Sequence, residues 1–215
     1  MSDHVKNQHY VPRFLLKNFS SRGRKFIWAY DKSNTHHKIT ERPIRKVANE
    51  FYFYDQIKNA REGSFEYTLQ FVENKAAPVF EKIIKEKSLR NLNSLEREKI
   101  ALFIAAQIFR TKEHLSETER MSSEFISKLK EAFNQPIANL NAKWLWFSTL
   151  SKIPMYKDVL LKKVWHLIES KNDFLISDNP AVRQNSTVKA PERGTLGLDS
   201  YGIEIYLPIS PSFVI

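Results

Sequence analysis

Three groups of residues in this chain have the types and spacing to do chemistry. In the first, Glu66 and Glu73 recur two helical turns apart, on the same face as Leu69, Ala76 and Phe80. A carboxylate on an apolar stripe has to be paired, hydrogen-bonded or metal-bound, because burying it bare is costly. Further along, Gln107 and Arg110 share a face with Phe103 and interrupt an otherwise apolar surface. Two readings stay open: Arg110 pairs with Glu73 and locks two core helices, or a polar pocket lies between the helices. In that pocket Gln107 and Arg110 would bind a ligand or phosphate, and the carboxylates a divalent metal.

The second group is "ISDNPAV", Ile176–Val182, where Asp178 and Asn179 follow an apolar stretch and precede Pro180. Polar side chains at a strand end can serve as catalytic groups and metal ligands. Asp-Asn-Pro is equally a turn initiator whose side chains bond the backbone. The third group is the opening box "QHYVPRF", which sets His9 four residues before Arg13. A histidine can be a base, and an arginine suits a phosphate. The box also has the apolar spacing (Val11, Phe14, Leu15, Leu16, Phe19) to anchor the chain on a core, with the basic residues after Phe14 as solvated surface. His36 and His37 would point to opposite faces of any strand, which makes a poor metal site.

What is missing narrows the chemistry. There is no Cys, so thiol nucleophiles, disulfides and Cys-ligated metals are excluded, and a reducing cytoplasm is the natural setting. No GxxxxGK[ST], GxGxxG, HExxH or GxSxG motif occurs, and five glycines leave little for a Gly-rich nucleotide cradle. The N-terminus lacks a secretory apolar core, and "IALFIAAQIF" is about half the roughly 20 residues that span a bilayer. A soluble cytoplasmic protein is expected. The net charge is +10, and Met1–Lys46 alone holds eleven Lys/Arg against three Asp/Glu. Such a basic end suits polyanions, DNA or RNA among them, although it also serves plain solubility.

The elements that must position these groups form an α+β pattern in one domain. Small antiparallel sheet elements at both ends (1–60 and 160–215) pack on a central bundle of about four helices (62–155). "KFIWAYD" and "NEFYFYD" predict short strands separated by a turn at "SNTHHK". Apolar residues from Phe65 to Ile83 recur at helical spacing, with Ser64 as N-cap and Pro78 as a kink. Asn93 and Glu96 match a capping box that opens a second helix running to about Lys112. A third helix, Ser116–Phe133, shows Met121, Phe125, Leu129 and Phe133 on one face, and a fourth, "NAKWLWFSTLSKI", stops at Pro154. "KVWHLIES" and "FLISD" predict a hairpin around "KND", and Arg183–Gly202 an exposed loop. "IEIYLPIS" alternates as a strand, and the apolar "SFVI" predicts a truncated C-terminus or a strand lacking its partner.

The ordered segments "QHYVPRFLLKNFS", "NEFYFYD", "FVENKAAPVFEKI", "FIAAQIFRTK", "FLISDNPAV" and "IYLPISPSFVI" resemble the DUF4238 family over nearly the whole chain. The resemblance picks out His9, Pro12, Arg13, Glu73, Arg110 and Ser177–Pro180 as motif positions and implies no activity. Taken with the residue chemistry, the leading expectation is a nucleic-acid-directed protein, a metal-dependent nuclease of a defence or toxin setting. In it His9, Glu73 and Asp178 would be catalytic. Glu66, Glu73 and Asp178 would hold Mg²⁺ or Mn²⁺, and Arg13, Gln107, Arg110 and Asn179 would hold phosphate or ligand. The alternatives are a non-enzymatic nucleic-acid- or protein-binding module with structural motif boxes, and an enzyme acting on a small phosphorylated or acidic ligand.

Overall fold

The computed structural model describes residues 5–21, 23–32, 38–55, 64–134, 141–188 and 194–215, and everything below refers to them. The order is β1 (Asn7–His9), α1 (Arg13–Asn18), β2 (Phe26–Tyr30), β3 (Ile39–Pro43), a 3-10 turn (Ile44–Lys46) and β4 (Asn49–Phe51). Then come α2 (Glu66–Glu86), α3 (Ser94–Phe109), α4 (Lys112–Phe133), α5 (Ala142–Ser151) and α6 (Ile153–Leu161). The chain ends with β5 (Ile168–Glu169), β6 (Val182–Asn185), β7 (Ile203–Tyr206), β8 (Pro208–Ser210) and β9 (Phe213–Val214). The fold is α+β, with small antiparallel sheets at both ends of the chain and the helices between.

α3 is the axis of the molecule. Every residue from Ile100 to Arg110 except Leu102 is buried, and α2 and α6 pack against it. Its apolar residues run all round, as a helix enclosed by neighbours requires. Its start is the predicted capping box: Asn93 Oδ1 accepts the Glu96 amide at 2.9 Å, and Glu96 Oε2 accepts the Asn93 amide at 3.0 Å. The helix stops at Phe109, short of Lys112, because the Thr111 hydroxyl caps the next helix by accepting the His114 amide.

Several elements depart from the sequence reading. α2 begins at Glu66, one residue after its cap Phe65, with the Glu66 amide on Ser64 Oγ at 3.3 Å. α4 starts four residues early, and its expected apolar face is outward: Met121, Phe125 and Phe133 are exposed, and the buried row is Ser122 and Ile126. Pro154 does not end the helical part. It sits in the first turn of α6, where a missing amide hydrogen costs nothing because that donor has no intrahelical acceptor.

The strand partners also differ. β2 pairs with β3 rather than with Asn49–Asp55, because the polar stretch "ITERP" is itself a strand. β4 pairs instead with β1, out of the opening box. The expected turn residues 33–37, with His36 and His37, lie outside the described residues. The "KND" hairpin does not form: Ile168–Glu169 pairs with Phe213–Val214, and 174–178 is irregular. Val182–Asn185, assigned largely to a loop, is a strand on Ile203–Tyr206. Phe213–Val214 does not lack partners, since β9 lies between β5 and β8. No helix among the described residues is long and apolar enough to cross a membrane.

Candidate functional site

The polar residues of the first helix pair do meet, around one guanidinium. Arg110 is 1% exposed. Its Nη1 donates to Glu73 Oε1 at 2.6 Å, its Nη2 to the His9 carbonyl at 2.6 Å, and its Nε to the Tyr54 hydroxyl at 2.9 Å. The Tyr54 hydroxyl in turn donates to the Arg110 carbonyl at 3.1 Å. One side chain thus ties β1, the turn after β4, α2 and α3 together. Burial alone would depress the guanidinium, but Tyr54 and Glu73 hold it protonated, above its ordinary value.

Around this knot the neighbouring polar groups are also spent on the protein. Gln107 Nε2 donates to the Tyr10 carbonyl at 2.8 Å, leaving its buried Oε1 without a protein donor. Gln8, wholly buried, donates to Asp55 Oδ1 at 2.8 Å and accepts the Tyr54 amide at 2.6 Å. Trp146 lies against Tyr54 with ring centroids 5.8 Å apart, and its Nε1 donates to the Phe109 carbonyl at 2.7 Å. The donors of Arg110 and the bonded amide of Gln107 therefore face protein oxygens in a buried position. Gln8, Tyr54 and Trp146 escaped the sequence reading because nothing marks a polar or aromatic residue as a network member until its partners are placed.

His9 lends the knot its backbone rather than its ring. The ring is half-buried, with Nε2 3.4 Å from the Ile44 carbonyl. Burial, helped by the charges of Arg13 and Arg110, lowers its pKa from 6.5 to about 4. The imidazole is neutral at neutral pH and a weak base, which counts against the catalytic role expected of it. His114 is lowered too, by burial first and against the nearby Glu117, whose Oε2 lies 3.7 Å from Nδ1, and the ring stands edge-on to Phe109 at 5.1 Å.

These histidines set a pH dependence. Above about pH 6.5 they are neutral in both the folded and the unfolded chain, so stability is flat in them. As pH falls from 6.5 toward 4, the unfolded His9 takes up a proton that the folded one refuses, and stability drops. The loss from His9 is about 2 kcal/mol by the bottom of that window, with solvent screening of the half-exposed ring allowed for. Urea midpoints of wild type and His9→Gln, measured at about pH 7 and about pH 5, should show the smaller drop for the variant. Equal drops would mean that His9 titrates normally.

Asp178 does not join Glu73. It is exposed, in a turn closed by Ser177 Oγ, which donates to the Asn179 carbonyl at 2.7 Å and accepts the Asn179 amide at 3.2 Å. Its charge is felt by Tyr10, which burial raises first, and by Lys112, raised first by its bond to Glu50. Asn179 is half-buried in that turn. Among the described residues no three His, Asp or Glu side chains come together as a metal site, so the expected set of Glu66, Glu73 and Asp178 is not assembled. Glu66, half-buried at the first residue of α2, is two turns from a Glu73 already committed to Arg110.

An open cleft lies on the other side of the box. α1 points Arg13 and Lys17, the turn before β2 Arg24 and Lys25, and the 3-10 turn Arg45 into one cleft of about 710 Å³, floored by Phe14, Phe26, Pro43 and Ile44. Among the described residues Glu81 is the one acidic side chain lining it. Arg24 holds φ of +65°, a left-handed conformation uncommon outside glycine, and follows Gly23 at +66°. Its Nη2 donates to Asn18 Oδ1 at 3.1 Å, and Asn18 Nδ2 donates to the Ile209 carbonyl at 2.9 Å, so the cleft wall is tied to β8. Arg13 was expected at a phosphate site; Lys17, Arg24 and Lys25 were read as surface, and Arg45 was not singled out. The signal available for them was the charge surplus of Met1–Lys46.

The family model described as "Protein of unknown function (DUF4238)" matches residues 7–215. The chain belongs to this family. No curated protein and no solved structure matches it. In this DUF4238 chain the motif positions separate into three places. His9, Glu73 and Arg110 are in the closed knot, Arg13 is in the open cleft, and Ser177–Pro180 form the turn beside Tyr10.

Proposed function

We propose that this DUF4238 chain binds nucleic acid through the N-terminal basic cleft, as a binding module whose motif boxes are structural. The observation that carries this is the convergence of Arg13, Lys17, Arg24, Lys25 and Arg45 from three separate elements on one cleft with a single opposing carboxylate among the described residues. Like charges gathered in a concavity repel one another and focus a positive field, so their gathering lowers stability and favours a polyanion. Guanidinium forks match phosphate oxygens in pairs, and each neutralised phosphate releases counterions. The closed Arg110 knot supports the structural role of the boxes, because its donors are already satisfied by protein.

The test is fluorescence anisotropy of labelled DNA and RNA oligonucleotides across a salt series. Affinity should fall with a log–log slope of about −3 to −5 for a five-cation cleft, with little dependence on sequence. Binding that ignores salt, or no binding at about 50 mM salt, would overturn the reading. Incubation of the same protein with plasmid and RNA, with Mg²⁺, Mn²⁺ or chelator, is the companion assay. Metal-dependent cleavage would return the nuclease reading to first place.

A further inference from the structure

The β2–β3 hairpin carries an outward aromatic row that leads away from the cleft. Register pairs Phe26 with Pro43, Trp28 with Glu41 and Tyr30 with Ile39, so these six side chains share one face. Ile27, on the opposite face, is buried in the core. Phe26 and Pro43 line the cleft itself. Beyond them Trp28 is 61% exposed, and Tyr30 (52%) and Ile39 (66%) continue the row. The fold gains little from a tryptophan set there, since the ring faces water.

We propose that the nucleic acid taken by the cleft is single-stranded, its bases stacking on Trp28 and along the row from Phe26 while its phosphates run into the cationic cleft. This rests on the cleft reading above and specifies its ligand. Charge complementarity and spacing choose this occupant. Alternate residues of a strand stand about 6.8 Å apart, twice the roughly 3.4 Å rise of a stacked nucleotide strand. A strand that seats bases on successive row positions must therefore be drawn out of its own stack, which a single strand allows and a duplex resists. Base–aromatic stacking is sequence-tolerant, and a basic groove beside aromatic side chains is the usual composition of a single-strand site. Glu41, across from Trp28, is occupied by the Ser21 hydroxyl at 2.8 Å.

The experiment uses oligothymidylate and a duplex of equal length, with wild type, Trp28→Ala and Trp28→Phe. The oligothymidylate should bind more tightly than the duplex and quench tryptophan emission, and Trp28→Ala should abolish the largest part of the quench. Affinity should fall on the order of 10-fold in Trp28→Ala, with an unchanged salt slope because no cation is removed, while Trp28→Phe retains most of the binding. An unchanged circular dichroism spectrum would confirm that this exposed position leaves the fold intact. If Trp28→Ala binds as wild type, or the duplex binds as tightly as the single strand, stacking is overturned and the phosphate cleft stands. If charge reversal in the cleft leaves oligothymidylate binding unchanged, the cleft reading falls, and this one with it.

Discussion

Replacing Arg110 by Ala removes about 3–5 kcal/mol of stability, the cost of breaking a buried ion pair from one side. The substitution strands the Glu73 carboxylate and takes a donor from the His9 carbonyl and the Tyr54 hydroxyl, the hydroxyl keeping its bond to the backbone carbonyl of residue 110. A domain of this kind has about 5–15 kcal/mol in all, so the variant should sit near or below the folding threshold. Arg110→Lys rescues little, because one ammonium on a flexible stem cannot reach three acceptors set around a planar fork. Glu73→Gln should be milder: Glu73 is 20% exposed, and an amide oxygen can still accept from Nη1. Urea denaturation of the three variants gives the ranking. An Arg110→Ala protein with the wild-type midpoint would show that the knot is not structural, and would restore Arg110 as a ligand group.

The cleft behaves in the opposite way. Lys17→Glu combined with Arg45→Glu should leave the stability measured by urea unfolding within about 0.5 kcal/mol of wild type, since both side chains are exposed. Nucleic-acid affinity at about 50 mM salt should fall on the order of 100-fold, and the salt slope should shrink by about two. Both cations are lost, and two carboxylates then face the phosphates from the cleft walls. Anisotropy across salt reads both quantities. Unchanged affinity would place the binding surface elsewhere. Together the two experiments separate residues that hold the protein together from residues proposed to contact nucleic acid, which the motif boxes mix.

The helical part was legible for local reasons. The period of α2 and the Asn93–Glu96 box of α3 are contained in a few consecutive residues, and helices depend mainly on such neighbours. Glu73 and Arg110 were legible as a pair because each interrupts an apolar face and each needs an opposite charge. The α4 face was misread because periodicity shows which residues align, not which side meets the core. Met121, Phe125 and Phe133 align as expected and face outward. Strand pairing was misread because a strand's partner is fixed by non-local contacts: "ITERP" carries no apolar alternation, yet it lies along β2 through all five residues.

By itself, then, the chain's sequence determined the α+β class, the family, the central helices and the excess of positive charge near the N-terminus. These follow from composition and from interactions between residues a few positions apart. Only the tertiary structure decided where each polar residue lies and what it touches. Arg110 is bonded to residues 37, 56 and 101 positions away, so its enclosure depends on how four distant segments fold together. Arg13, Lys17, Arg24, Lys25 and Arg45 become a cleft only when α1, the turn before β2 and the 3-10 turn meet. Charge is a property of the residue, whereas enclosure and convergence are properties of the packing. That is why the knot looked like a site in sequence and the cleft looked like surface.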